Sequence, residues 1–422
     1  MPHPAAPVLD PGVKSFPPSS WGMPADAFLA ERPRLDRFQT PLLTLDRAAL
    51  QHNTRVMADW AAAAGLQLAP HGKTSMSPQL WSMLIDAGAW GITLATPWQV
   101  QVARSVGVRR ILLANELVDP VAIRWLGREL TEHPDVEFVC WADSVDAVTA
   151  LSAALGDADP ARPVDVLVEL GGAGGRTGAR SVRDALAVAD AIAASPHVRL
   201  AGVGGYEGAL AHGHAAEGDA RVRTYLGSLV ELHRRLEAGG SYDRRRPIVT
   251  AGGSAYFDLV ADAFAELAGS ALLLLRSGAY QFHDDGYYAE TSPLGRRSVE
   301  TRLRPALALW SRVLSRPEPD LAILDAGRRD APFDEGLPVP QGVRGQDADR
   351  SAALLAGSRV VALNDQHAFL RLGEGSELRV GDVVRLGISH PCTALDKWRL
   401  IPVVESQDTD DPVVVDLVTT IF

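Results

Sequence analysis

Leu68-Ala-Pro-His71-Gly-Lys73-Thr-Ser-Met-Ser77-Pro78 decides how the chain is read. The apolar run 65–69 leads into it. Ser77-Pro78 leads out, with serine placed as a helix N-cap and proline at the first helical position. Leu80, Met83 and Leu84 follow at helical spacing, and Gly88 ends the pattern. Lys73 therefore falls where a strand ends and a loop begins. In parallel α/β proteins that edge carries the chemistry. Spacing alone leaves a solvated surface lysine as the alternative.

The same unit recurs along the chain. Strands are expected at 66–72, 91–95, 110–115, 136–140, 164–169, 198–203, 247–250 and 271–276. Helices are expected at 78–87, after Thr96-Pro97, after Asp119-Pro120, and at 144–155, 182–194, 216–238 and 256–268. Apolar runs alternating with helices imply parallel strands buried on both faces. Eight of them within 66–276 predict an α/β fold, a (β/α)8 barrel rather than an open doubly wound sheet. Upstream, 1–40 reads as a proline-rich irregular arm and 41–46 as a short strand, with Asp46 capping a helix to about 64. After 285 the texture changes. Short alternating segments at 303–315, 321–324, 359–363, 378–386, 399–405 and 413–421 indicate a second, smaller β domain. The expected division is 46–285 for the barrel and 1–45 plus 286–422 for the β domain. The charged, Gly/Pro-rich stretch 330–350 is read without regular structure.

Composition narrows the function. The 422 residues suffice for two domains with a sizeable core. A formal net charge of -11 and the lack of a basic stripe argue against nucleic-acid and anionic-membrane partners. Arg244-Arg245-Arg246, the longest basic run, reads as a solvated corner. No apolar run approaches the roughly 20 residues that span a bilayer. Met1-Pro-His-Pro-Ala lacks the charged start and apolar core of a signal peptide. Two cysteines, Cys140 and Cys392, make no disulfide framework, so a reducing cytoplasm is expected.

Glycines cluster after the later barrel strands: Gly171-Gly-Ala-Gly-Gly175-Arg176-Thr-Gly178, Gly204-Gly205-Tyr206-Glu-Gly208, Ala251-Gly252-Gly253-Ser254 and Ser277-Gly278-Ala-Tyr280. Such loops bring backbone N–H groups close to a phosphate, and tight βα turns also use glycine for shape alone. Four clusters at one barrel edge with Lys73 favour a site. His212-Gly-His214 has metal-pair spacing but reads better as the start of a loop.

Pro70-His71-Gly72-Lys73-Thr74, the Gly-Gly-Arg176-Thr-Gly segment, Gly252-Gly253-Ser254 and Tyr280 resemble the alanine racemase-like, fold type III group of pyridoxal phosphate enzymes. Ser389-His390-Pro391-Cys392-Thr393 resembles the metal signature of its D-serine dehydratase and D-threonine aldolase branch. The likeness spans about 40 to 400. It implies a cofactor-bearing barrel, a β domain that closes the site, and a homodimer. By position, Lys73 would form the Schiff base with pyridoxal 5'-phosphate. Gly252, Gly253, Ser254 and Tyr280 would hold the phosphate. Arg176 would sit beside the ring or its oxygen, Tyr206 near the cofactor, and His71 beside the lysine. The chemistry agrees: a lysine amine condenses with an aldehyde and, once released, serves as a base.

His390 and Cys392 are two apart, so in an extended segment both side chains would reach one ion. Imidazole and thiolate suit Zn2+, and two protein ligands leave room for water and substrate. In the branch, aldolases often carry aspartate where this chain has Cys392, and dehydratases cysteine. Thr393-Ala-Leu-Asp396-Lys-Trp398 departs from both. The resemblance thus implies a lyase acting on a small D-amino acid. It would dehydrate D-serine-like 3-hydroxy substrates to a 2-oxo acid and ammonia, with retro-aldol cleavage to glycine and an aldehyde as the alternative. A non-catalytic pyridoxal phosphate carrier is a third reading, opposed by the β domain and the His390/Cys392 pair.

Overall fold

The expected apolar runs become strands of two separate sheets. β1 (Leu42–Asp46) belongs to a mixed sheet. β2 (Gln67–Leu68), β3 (Ile92–Leu94), β4 (Arg110–Glu116), β5 (Glu137–Ala142), β6 (Val164–Leu170), β7 (Val198–Gly205), β8 (Ile248–Ala251) and β9 (Leu272–Leu275) form a parallel sheet. The computed structural model describes residues 7–158, 160–211, 213, 215–296, 299–409 and 411–422. These fall into two units. One holds Met57–Lys73 and Trp81–Gly278; the other holds Thr74–Leu80, Ala279–Phe422 and the described chain up to Val56.

The parallel sheet runs β2-β9-β8-β7-β6-β5-β4-β3. Its two ends meet. Trp90 donates its N–H to the Leu68 carbonyl at 2.7 Å, Thr93 to the Pro70 carbonyl at 2.9 Å, and His71 bridges Thr93 in parallel register. The ring is therefore the expected (β/α)8 barrel. Its interior is filled by Ala69, Trp90, Leu112, Val139, Trp141, Leu167, Ala201, Ile248, Leu272 and Leu274, all buried. β2 is shorter than its apolar run because Pro70 has no N–H and Gly72–Thr74 turns as a 3₁₀ helix. Thr96 and Asp119 cap their helices as expected, accepting from Gln99 N at 3.3 Å and Ala122 N at 2.8 Å. The long helix is Ala216–Ala238. Of the arginine run, Arg245 and Arg246 are exposed as expected, while Arg244 is half-buried and paired. Arg244 reaches Asp165 at 3.2 Å and Glu137 at 3.4 Å, near the starts of β6 and β5, and Arg246 donates to the Ala271 carbonyl at 3.0 Å.

The second unit holds β1 with β10 (Leu307–Glu318), β11 (Leu321–Leu324), β12 (Val339–Val343), β13 (Arg359–Leu363), β14 (Ala368–Arg371), β15 (Val383–Gly387), β16 (Leu400–Val404) and β17 (Val414–Thr419). Their order is β13-β14-β11-β10-β1-β16-β17, with β15 on β10 and β12 on β15. Two stretches differ from expectation. The proline-rich arm carries a helix, Ala25–Ala30, and buries Phe16, Phe28 and Phe38 with ring centroids 5.1 to 5.7 Å apart. The 330–350 stretch contributes β12 and leads into the helix Ala348–Leu355, capped by Asp347, which accepts from Arg350 N at 2.7 Å. Both gain order from partners distant in sequence, which local composition does not register. Among the described residues no helix is long and apolar enough to cross a membrane. His212 and His214 lie outside the described residues.

Candidate active site

Strand alternation dictates what tops the barrel interior. Leu274 and Arg276 are two apart, as are Ala69 and His71, Trp141 and Asp143, Leu167 and Glu169. Above the apolar layer the chain thus sets a polar one. Arg276 is 1% exposed and donates to Thr250 Oγ1 at 2.7 Å and to the Gly205 carbonyl at 2.6 Å. Its guanidinium stacks 4.8 Å from the Trp141 ring. Burial pulls its pKa down, and the Glu207 carboxylate works the other way. The signal for this residue was a lone arginine closing the apolar run 271–275. No buried guanidinium is tolerable without acceptors.

His71 is the centre of a cationic group. Burial, then Lys73, Arg276 and Arg176 in that order, hold its pKa well below the usual imidazole range. Its ring is therefore neutral, and Nδ1 is buried without a hydrogen-bond partner. Lys73 is half-buried at the end of β2's loop, in the 3₁₀ turn Gly72–Thr74. The turn requires glycine at 72: a Cβ there would lie 2.6 Å from both Ile92 and Trp81, whose indole N–H bonds the Gly72 carbonyl at 3.0 Å. The chain contains three lysines, Lys14, Lys73 and Lys397, and of these Lys73 alone belongs to the barrel unit.

The Gly252-Gly253-Ser254 turn follows β8. Gly252 has φ +101°, which favours glycine. The amides of Gly252 and Gly253 are not free. They donate to the two carboxylate oxygens of Glu207 at 2.9 and 2.6 Å, and Glu207 is fully buried. Tyr206 packs on Gly253, where a Cβ would come within 2.7 Å of the ring, and the Arg176 guanidinium stacks 4.8 Å from the centroid of that same Tyr206 ring. The structure thus gathers His71, Lys73, Arg176, Tyr206, Gly252, Gly253 and Ser254 in one unit at the ends of barrel strands. Tyr280 is buried in the second unit, where burial raises its pKa. Glu207→Ala would strand the buried Gly252 N–H, at about 1–3 kcal/mol, and the part-buried Gly253 N–H at less. The variant is expected to melt at lower temperature and to lose bound cofactor during gel filtration. An unchanged melting curve would show that the carboxylate does not hold this turn.

Opposite in charge stand Glu116, Asp143 and Glu169, from the ends of β4, β5 and β6, with ligand atoms all within 4.8 Å of one another. Burial and the neighbouring Glu116 carboxylate push Glu169 up to about 8, and burial also raises Glu116. The Arg176 loop ties to this group: Thr177 Oγ1 donates to Glu169 at 3.1 Å and Gly178 N to Asp143 at 3.2 Å. None of these acids was singled out from sequence, because each lies one residue within or beyond an ordinary apolar strand.

In the second unit His390 and Cys392 do not lie in an extended segment, as their spacing suggested. Pro391 is helical at φ -59°, ψ -37°, and Cys392 opens the short helix Cys392–Leu395. Proline suits a first helical turn better than a strand interior. The pair nonetheless interacts. Burial opposes a charged His390 ring, but Cys392 and Asp334 outweigh it and raise its pKa to about 9. Asp334 Oδ2 lies 2.7 Å from His390 Nδ1, and Thr74 Oγ1 lies 3.3 Å from Cys392 Sγ. Thr74 directly follows Lys73 in the chain.

Residues 45–272, more than half of the chain, match the family described as "Alanine racemase, N-terminal domain". This chain belongs to that family. The family is one of fold type III pyridoxal phosphate enzymes. Residues 306–404 match a second description, "Putative serine dehydratase domain". The chain is 29% identical over 386 residues to the D-threonine aldolase of an Arthrobacter species, covering 90% of each. It is 28% identical over 366 residues to the 3-hydroxy-D-aspartate aldolase of Paracoccus denitrificans, covering 85% of this chain and 87% of that protein. Among solved structures, D-threonine aldolase from Filomicrobium marinum superposes with a TM-score of 0.76 at 23% identity, over 92% and 96% of the two chains. D-threo-3-hydroxyaspartate dehydratase from Delftia sp. HT23 gives 0.68 at 22%, over 91% and 97%. These structural likenesses establish the alanine racemase-like fold.

Proposed function

We propose that this protein is a pyridoxal phosphate- and Zn2+-dependent lyase that dehydrates D-serine-like 3-hydroxy D-amino acids to a 2-oxo acid and ammonia. The observation that carries the reading is the polar layer of the barrel. There the charges of Lys73, Arg276 and Arg176 act on a half-buried, neutral His71, whose Nδ1 is buried without a partner. Two guanidinium groups beside one primary amine fit an aldehyde that bears a phosphate and a phenolic oxygen. Lys73 would hold the cofactor covalently. Ser254 and Tyr280 would hold its phosphate by hydrogen bonding. Gly252 and Gly253 would contribute shape rather than donors, because Glu207 occupies their amides. Arg176 and Tyr206 would flank the ring.

His390 and Cys392 fit a zinc ion by donor type, one imidazole nitrogen and one thiolate sulfur. Bound there, the two groups would supply an electron sink for Cα and a Lewis acid for a 3-hydroxyl. The chain's own residues do the rest. The Lys73 amine takes the Cα proton. His71, kept neutral by burial and three cations, lends that amine no competing charge. Arg276, fixed by Thr250 and Gly205, keeps the inner wall of the barrel positive.

Retro-aldol cleavage is the second reading, favoured by the names of the two relatives above. The thiolate at Cys392 is what favours dehydration, by the family pattern set out from sequence. Purified protein given D-serine and D-threonine decides between them. Pyruvate, 2-oxobutyrate and ammonia are expected. Glycine and acetaldehyde as main products from D-threonine would move the enzyme to the aldolase reading. No turnover of either, with cofactor bound, would point to the carrier.

A further inference from the structure

A metal centre depends on what holds its ligands as much as on the ligands. A histidine binds a metal through one nitrogen, and a hydrogen bond at the other decides which. Here that second bond is already built. His390 Nδ1 and Asp334 Oδ2 are 2.7 Å apart. The other Asp334 oxygen, Oδ1, lies 2.7 Å from Thr393 Oγ1, so both carboxyl oxygens face donor groups. A carboxyl oxygen at Nδ1 favours a proton there, which leaves Nε2 as the nitrogen that a metal would take.

The carboxylate is itself fixed. Thr393 Oγ1 donates to Asp334 Oδ1 at 2.7 Å and sits 3.3 Å from His390 Nδ1. Ser389 Oγ donates to the Gly336 carbonyl at 2.7 Å, tying the backbone beside Asp334 to the backbone beside His390. Both oxygens are thus engaged, and the two segments, far apart in sequence, are joined at two points. Asp334 lies in the stretch that composition marks as irregular, and nothing in its sequence neighbourhood points to a metal.

We propose that Asp334 is a positioning residue of the metal centre, holding the His390 ring in the tautomer and orientation that offers Nε2 to the ion shared with Cys392. The proposal rests on reading His390 and Cys392 as the metal ligands. Thr393 supports the carboxylate in turn. Partners of this kind are worth about 10–100-fold in metal affinity. The pair is partly exposed, with side chains 27% and 42% accessible, so removing it should leave the fold intact.

The test uses the full-length protein, stripped by a chelator and reloaded with Zn2+ or Co2+. Affinity is read by competition with a chromophoric chelator, and ligand geometry by the visible spectrum of the Co2+ form. Asp334→Ala is expected to bind Zn2+ about 10–100-fold more weakly and to shift the Co2+ bands. Asp334→Asn, which still accepts from Nδ1–H, should recover part of the loss and restore the bands. Cys392→Ala serves as the reference. If Cys392→Ala loses the metal while Asp334→Ala keeps wild-type affinity and an unaltered Co2+ spectrum, the positioning role is refuted and the centre stands. If Cys392→Ala and His390→Ala both bind Zn2+ as tightly as the wild type, the centre itself is refuted, and the role of Asp334 with it.

Discussion

Lys73→Ala is expected to abolish covalent cofactor binding and to lower turnover by on the order of 10²–10⁴-fold or more, the loss that follows removal of a positioned base. The substitution removes a nucleophile and a base together, because the same amine would bind the cofactor and take the Cα proton. Two observations make the assignment unusually exposed to test. The chain has only three lysines. Lys14 is held by Asp330 at 3.1 Å and stacks on Trp398, and Lys397 pairs with Asp396 at 3.3 Å, both in the second unit. Borohydride reduction of the holoprotein should therefore leave the label on the peptide that carries Lys73. The visible band of the lysine-linked cofactor should vanish in the alanine variant. A label recovered on Lys14 or Lys397 would overturn the reading, whatever the activity of the variant.

Cys392→Ala should separate two steps of the reaction. Proton removal from Cα needs the amine of Lys73. Loss of hydroxide needs help, since hydroxide is a strong base and a poor leaving group, and a Lewis acid supplies several kcal/mol of charge stabilisation. Loss of that help corresponds to a fall of about 10²-fold or more in elimination. Exchange of the Cα proton with solvent deuterium should fall far less, and the visible band should persist. Zinc content should drop in parallel. Chelation of the wild-type protein should reproduce the pattern, and added zinc should reverse it. Full dehydratase turnover in metal-free protein would remove zinc from the mechanism.

Much of the architecture was readable in one dimension because it is written locally. Eight apolar runs alternating with helices, several of which carry their own caps, leave few ways to bury the strands other than a barrel. Thr96, Asp119 and Asp46 cap their helices from neighbouring positions, with Asp46 accepting from Ala49 N at 2.8 Å. Lys73 stood out for the same reason, since a strand end is a local event. The second unit was only partly legible. β12 gains its order by pairing with β15, and the arm by clustering Phe16, Phe28 and Phe38. Neither partner set is visible in a short window of sequence.

By itself, then, the sequence determined the alternation of strands and helices, the change of texture after 285, and the residue types able to do the chemistry. Those depend on hydrophobic period, capping and turn residues acting over a few positions. Only the tertiary structure decided how those residues are held. It gave Glu207 the amides of Gly252 and Gly253, set Arg276 between Thr250 and Gly205, brought Glu116, Asp143 and Glu169 together, and placed Asp334 against His390. Each arrangement joins groups separated by tens of residues. The buried members, the amides held by Glu207 and the Arg276 guanidinium, are paired because a buried charge or amide must find a partner wherever closure of the chain supplies one, and no pattern of neighbours along the chain records which partner that will be.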